Sequence, residues 1–341
     1  MHTLNFVNLI QAAIVGTGLL GCLLLWRVLA YRGVAILLLL TAFAAGINIA
    51  EESGLTRDIY LISPVFIMLF GPATYLAIKH LTTGNHERSD YLHLLPVVPI
   101  LFITDNVQLV IAIGTAWRLA YALGSAKLLL QYKKSLDESR SDADEFSLTW
   151  LMWVVIATAL FNLIDLIRLN SQHLIAAELN IFGQGLNNAI WLVVVMAITL
   201  KLMTQGKPPK RNNKPVKTAE ADNIKTDTSQ EDYQSIFTEL DKLVTENKWF
   251  IKPRLTLANL SDLTGLQTRD ISRAINLNSQ KSFNEYINQY RIEFVCQILK
   301  QNQATSLTTV YLDAGFSSKA TFNKVFKQVM AMTPSEYKAD N

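Results

Sequence analysis

The 341 residues are half hydrophobic and only 17% charged, apolar for a soluble chain and long enough for two or three domains. A formal net charge of +3 is too small to identify a partner, so the placement of the charges matters more than their sum. Two cysteines, Cys22 in an apolar run and Cys296 in a polar one, exclude a disulfide framework and a cysteine-rich metal site.

Seven apolar segments occupy the first part of the chain, at roughly 5–26, 33–50, 59–78, 91–104, 107–130, 148–169 and 180–203. Most approach the ~20 residues that a membrane-spanning helix requires. The leading "MHTLNF" lacks the basic region of a signal peptide, so the first segment is expected to be retained. "GTGLLG", with Gly16, Gly18 and Gly21, fits a dinucleotide fingerprint, but no strand precedes it; small residues for close helix packing explain it better. The fourth segment, "YLHLLPVVPILFI", is short and carries Pro96 and Pro99. It reads as a tilted or kinked helix, or as one arm of a re-entrant hairpin with the fifth.

Loop charges orient the segments. With the N-terminus outside, the inner loops hold Arg27 and Arg32, then Lys79 and Arg88, then Lys133, Lys134 and Arg140, and the tail adds Lys201, Lys207, Lys210 and Arg211. The outer loops hold mostly Glu51, Glu52, Asp58, Asp105 and Glu178. This positive-inside bias predicts a multi-pass protein of the bacterial inner membrane with an external N-terminus and a cytoplasmic C-terminal domain.

Several polar residues fall within the apolar segments: Glu52 at the outer end of the second, Arg118 in the fifth, Asp165 and Arg168 in the sixth, and Asn187 in the seventh. A buried arginine needs a partner, and Asp165 is the first candidate for Arg118, with Glu52 the other. The set admits two readings, a ligand pocket open to the outside or interhelical pairing that holds the bundle. Neither a metal-ligand spacing nor a catalytic constellation emerges, and no cofactor or enzymatic activity is expected.

Residues 205–231 are polar, without apolar periodicity, and read as a flexible cytoplasmic linker between a membrane domain at 1–204 and a polar domain at 232–341. In that domain "YQSIFTELDKLVTE" sets Ile236, Leu240, Leu243 and Val244 at helical spacing. Two similar units follow, "LTLANLSDLTGLQTRDISRAIN" and "LTTVYLDAGFSSKATFNKVFK". Each predicts a short helix, a glycine turn (Gly265, Gly315) and a second helix, a helix-turn-helix twice over.

In the first unit Leu257, Leu260 and Leu263 form the expected core stripe of the leading helix, and Ile271, Ala274 and Ile275 that of the second. The opposite face shows Arg269, Ser272, Arg273 and Asn276. In the second unit Phe322, Val325, Phe326 and Val329 are expected inside, and Lys319, Asn323, Lys324 and Lys327 outside. Arg, Lys and Asn can hydrogen-bond base edges in the major groove, and Lys also pairs with phosphate. The stretch from Ser282 to Gln301 lacks Gly and Pro and predicts a helix of about 30 Å between the two units, close to the ~34 Å between successive major grooves.

The stretch 255–338 resembles the DNA-binding domain of the AraC/XylS family. "LTLANLSDLTGL", "SFNEYINQYRI", "GFSSKATFNKVFK" and "MTPSEYK" carry the resemblance in order and spacing. It implies a transcription regulator, with Arg269, Ser272 and Arg273 of the first unit and Lys319, Ala320, Asn323 and Lys324 of the second as base-reading residues. It also implies structural roles for Arg291 and Pro334. Three positions depart from the family pattern: Tyr311 replaces a small alanine, and Ala331 and Gln280 each replace a glycine. A tyrosine there requires repacking, and alanine at a helix end is costly if the backbone turns left-handed.

The chain therefore reads as all-α: a seven-helix transmembrane bundle, a linker, and a double helix-turn-helix domain. The expected function is that of a membrane-bound one-component transcription regulator. Its partners would be double-stranded DNA, the lipid bilayer, a small-molecule or protein signal at the membrane domain, and a second copy in a homodimer. Two other readings stand beside it, a membrane-anchored interaction or DNA-tethering protein and a transporter-like protein with a regulatory tail.

Overall fold

A computed structural model describes residues 5–56, 59–171, 174, 176–205, 230–301 and 306–340. The linker expected at 205–231 lies, apart from its ends, outside the described residues. The chain divides into two compact units that do not follow chain order. Residues 132–147, which lie between two apolar segments, belong with the C-terminal unit rather than with the apolar one.

Among the described residues, six helices are long and apolar enough to cross a membrane: α1 (Phe6–Trp26), α2 (Arg32–Glu52), α3 (Ser63–Thr83), α4 (Val107–Asp137), α5 (Thr149–Asn170) and α6 (Ala177–Thr204). Asn5 opens α1 by accepting from the amides of Val7 and Asn8. Glu51 Oε1 accepts from the amides of Ile62 and Ser63 at 2.6 and 2.9 Å, so a carboxylate from α2 satisfies the start of α3, where Ile62 supplies no cap. Gly18 meets Ala42 and Gly21 meets Thr199 so closely that any Cβ would crowd them, which lets α1 seat against α2 and α6. Gly16 faces open space, so only two of the three glycines serve packing. The outward side chains are apolar: Leu9, Leu23, Phe43, Trp153 and Val193 are all more than half exposed. Water would penalise such a surface and lipid would not.

The fourth of the seven expected segments is not an α-helix. Residues Arg88–Val97 and Pro99–Phe102 form two 3₁₀ helices instead of one α-helix. Pro96 and Pro99 each lack an amide hydrogen, and neither can sit in an α-helix interior without losing a bond and crowding the preceding turn. The two short helices run back along α3. Lys79 Nζ meets Asp90 at 2.6 Å near the end of α3, and the Tyr60 hydroxyl donates to Leu101 O near its start. Between them His93 Nδ1 lies 2.7 Å from the Tyr121 hydroxyl of α4, and Val97 and Ile100 pack with Val65, Met68 and Val110.

The second unit holds α7 (Gln230–Glu246), α8 (Leu257–Thr264), α9 (Thr268–Ser279), α10 (Phe283–Gln301), α11 (Leu307–Asp313), α12 (Lys319–Met330) and α13 (Pro334–Asp340). It has two cores, one for each helix-turn-helix, and α10 contributes to both. Phe283, Tyr286 and Ile287 pack with Leu240, Leu260 and Ile271, and Ile292, Val295 and Leu299 pack with Val310, Phe322 and Phe326. Gly265 adopts φ +73 and Gly315 φ +86 at the two turns. At Gly315 a Cβ would also lie 2.3 Å from Ile251 O, so both conformation and space require glycine.

Candidate nucleic-acid interface

The second helix of each unit presents the face that the spacing predicts. On α9, Ile271, Ala274 and Ile275 are buried while Arg269, Arg273 and Asn276 are exposed and Ser272 is half-buried. On α12, Thr321, Phe322, Val325 and Phe326 are buried while Lys319, Ala320, Asn323, Lys324 and Lys327 are exposed. Ser318 caps α12 by accepting from the Thr321 amide at 3.1 Å, and this orients the first turn that bears Lys319 and Ala320. Two residues leave the expected core: Leu263 is 42% exposed and Val329 is 44% exposed, each in the last turn of its helix.

The departures from the family pattern have visible consequences. Ala331 ends α12 at φ +58 and Gln280 ends α9 at φ +59, both left-handed and both carrying a Cβ there. The Tyr311 ring is accommodated by stacking on Phe322, with centroids 5.4 Å apart. Arg273 is not a free extended side chain. Its guanidinium lies over the Tyr233 ring of α7 at 5.3 Å, and Asn278 of α9 donates to Tyr233 O.

A cavity of about 500 Å³ in the first unit is lined by all five of the polar candidates, Glu52, Arg118, Asp165, Arg168 and Asn187, together with Glu51. Their pairing differs from expectation. Arg118 donates to Ile67 O at 3.0 Å and Asn162 Oδ1 at 3.3 Å and lies over the Phe70 ring. Asp165 is engaged by Arg168 at 2.7 Å on one oxygen and by Asn187 at 2.9 Å on the other. Arg168, one helical turn from Asp165, outcompetes Arg118 for it because an i,i+3 pair is already preorganised by the helix. Glu52 accepts from Asn8, Gln11 and Gln184. Asn187 Oδ1 is buried with no hydrogen-bond donor among the described residues.

Comparison with known proteins bears on the second unit. Residues 260–340 match the family model of a helix-turn-helix domain. An uncharacterised HTH-type transcriptional regulator of Staphylococcus aureus (strain COL) is 31% identical over 86 residues, which is 25% of this chain and 11% of that protein. The chain thus matches only a small part of its relative's length. No solved structure matches it.

The helix-turn-helix domain has contacts that residue spacing did not reveal. Residues 139–146, between α4 and α5, are built into it. Ser141 is fully buried: its amide donates to Leu255 O at 2.9 Å, and its carbonyl accepts from Asn284 and Asn288 at 3.0 and 3.1 Å. Its hydroxyl oxygen accepts from Arg291 Nη2 at 3.1 Å. Leu257 donates to Ser139 O, and Arg140 and Thr256 form an antiparallel bridge. Arg291, 1% exposed, also donates to Phe250 O and Lys252 O and lies over Phe316. Burial lowers its pKa to about 10, opposed by the charges of Asp142 and Glu145. Arg140 forks onto buried Asp142 at 2.8 and 2.9 Å, and Asp144 pairs with Lys324 of α12. The sequence carried only an indirect signal of this docking: the acid-rich run "LDESRSDADEF" between two apolar segments.

Proposed function

We propose that the chain is a membrane-bound one-component transcription regulator. The observation that carries this reading is the pair of exposed Arg/Lys/Asn faces on α9 and α12, within a helix-turn-helix domain that shares a chain with six membrane-length helices. The α9 face carries bidentate-capable arginine and asparagine, and the α12 face adds lysines suited to phosphate, so together they offer the two kinds of contact that sequence-specific DNA binding needs. Arg269, Ser272, Arg273 and Asn276 serve the first half-site, and Lys319, Ala320, Asn323, Lys324 and Lys327 the second. With 19 residues, α10 is about 28 Å long and suits two recognition helices serving neighbouring major grooves.

The membrane domain, 1–204, has its N-terminus outside and the DNA-binding domain, 232–341, in the cytoplasm of a bacterium. Segment 88–102 supplies the seventh crossing despite its 3₁₀ geometry. At ~2.0 Å per residue a 3₁₀ helix advances further than an α-helix, so these fifteen residues reach ~30 Å, the thickness of a bilayer core. Its return path along α3 supports this reading. The cavity lined by Glu52, Arg118, Asp165, Arg168 and Asn187 receives the signal: charged groups kept within an apolar bundle mark ligand or ion sites, and the Asn187 oxygen offers an acceptor to a ligand donor.

The test is selection of mixed-sequence duplex DNA by the full chain in nanodiscs. Enrichment of a defined motif with two half-sites about one helical turn apart is expected. Binding that is uniform across sequences would reduce the chain to a membrane tether for DNA.

A further inference from the structure

We propose that the acidic turn 142–145 is an internal competitor of DNA: Asp144 occupies Lys324 on the recognition helix α12, and DNA phosphate must displace it. This rests on the reading of α12 as a DNA-contacting helix. Lys324 Nζ lies 2.5 Å from Asp144 Oδ1, across 180 residues of sequence. Lys324 is half-exposed, whereas the Asp144 carboxylate is mostly buried, so the acid is fixed and the lysine is the mobile partner. A lysine ammonium held by a carboxylate offers less to a phosphate, which would occupy the same position about its point charge.

The turn is not a loosely lying loop. Ser141 is locked by three polar groups to Leu255, Asn284, Asn288 and Arg291, and Asp142 is buried beneath Arg140. These anchors set Asp144 next to α12. Asp142, Asp144 and Glu145 also add negative charge beside a face that would meet a polyanion. The loop is continuous in the chain with α4 and α5, both membrane-length helices. A change in either helix that withdraws the turn would release Lys324, so the contact supplies a differential interaction through which a membrane signal can bias DNA affinity.

The experiment measures binding of a labelled mixed-sequence duplex to the full chain in neutral-lipid nanodiscs, at low and high salt. Asp144→Asn is expected to bind about two- to fivefold more tightly, the range of an exposed ion pair, with the gain shrinking as salt rises. Glu138→Gln removes the same charge from the loop without touching Lys324, and should leave affinity near wild type. Asp144→Glu should also stay near wild type. In a Lys324→Gln background, Asp144→Asn should add nothing. In the wild-type chain, added duplex should speed amide exchange over 142–147, where Glu145 donates to Asp142 O and Ser147 to Asp144 O. This last measurement needs no variant to fold. Wild-type affinity in Asp144→Asn, an equal gain in Glu138→Gln, or unchanged or slower exchange on adding duplex would overturn the competition while leaving the DNA-binding reading intact. Failure of the wild type and of every variant to bind duplex would overturn both.

Discussion

Arg291 of α10 donates to the hydroxyl of Ser141, a residue 150 positions earlier, and the same Nη2 also donates to Lys252 O. The arginine thus ties together the start of the helix-turn-helix domain, the helix shared by its two cores, and a loop from between two apolar helices. Because Lys252 O remains available to that nitrogen, Ser141→Ala should cost only about 1 kcal/mol. Arg291→Met would strand Phe250 O and Asn288 Oδ1 inside the protein, and at roughly 1–3 kcal/mol for each stranded group the loss should reach ~3 kcal/mol or more. Amide exchange of α10 in the full chain reports both. Equal effects from the two variants would shift the anchoring role from the arginine to the loop.

The two left-handed helix ends predict stabilising substitutions. Ala331 at φ +58 and Gln280 at φ +59 carry a Cβ where glycine has none, at a cost of ~1 kcal/mol each. Ala331→Gly and Gln280→Gly should each raise the stability of the DNA-binding unit by about that amount. Chemical denaturation monitored by exchange in α9 and α12 measures it. A destabilising result at Ala331 would mean that its methyl group contributes packing that outweighs the backbone strain.

On the recognition faces, base readers and phosphate contacts should separate by phenotype. Arg269→Ala and Asn323→Ala are expected to relax preference at one base position each, with a loss of about 1–3 kcal/mol for a bidentate contact. Lys327→Ala should weaken binding evenly across sequences and flatten its salt dependence. Arg273 leans on the Tyr233 ring, so Tyr233→Leu should alter preference at the Arg273 position without altering the rest of the motif. Comparison of the motifs selected by each variant decides all four.

Much of this was legible in the sequence because it depended on local rules. The glycine turns, the amphipathic faces and the costly Ala331 and Gln280 follow from spacing and backbone sterics within a few residues. Pro96 and Pro99 marked the fourth segment as irregular but could not say that it would become a 3₁₀ path along α3, which depends on contacts such as Lys79–Asp90. The Ser141–Arg291 bond was invisible for the same reason. Nothing in a serine within an acidic loop announces a buried site whose donors and acceptors come from over a hundred residues away. The polar residues of the apolar helices were legible as a set, since each would be costly in lipid, but not as pairs. Asp165 was the first candidate partner for Arg118, with Glu52 the other, and packing gives Asp165 to Arg168 instead.

That choice yields the last prediction. Asp165 holds Arg168 at 2.7 Å and accepts from Asn187, while Arg118 is held by the Ile67 carbonyl and Asn162. If the Arg168 pair is a structural tie, Asp165→Leu should lower the amount of folded protein in the membrane, because it leaves a guanidinium in an apolar bundle without its counter-charge. Asp165→Leu combined with Arg168→Leu should then recover much of that level, since no unpaired charge remains. Asp165→Leu combined with Arg118→Leu should not, because Arg168 stays stranded. Arg118→Leu alone removes a charge whose hydrogen-bond partners are neutral, so it should accumulate normally and be read out in signalling. Reporter transcription normalised to membrane-inserted protein should lock at one level. Membrane yields of the two singles and two doubles decide the pairing. Recovery by the Arg118 double rather than the Arg168 double would restore Asp165 as the partner of Arg118 and remove Arg118 from the signal-receiving role.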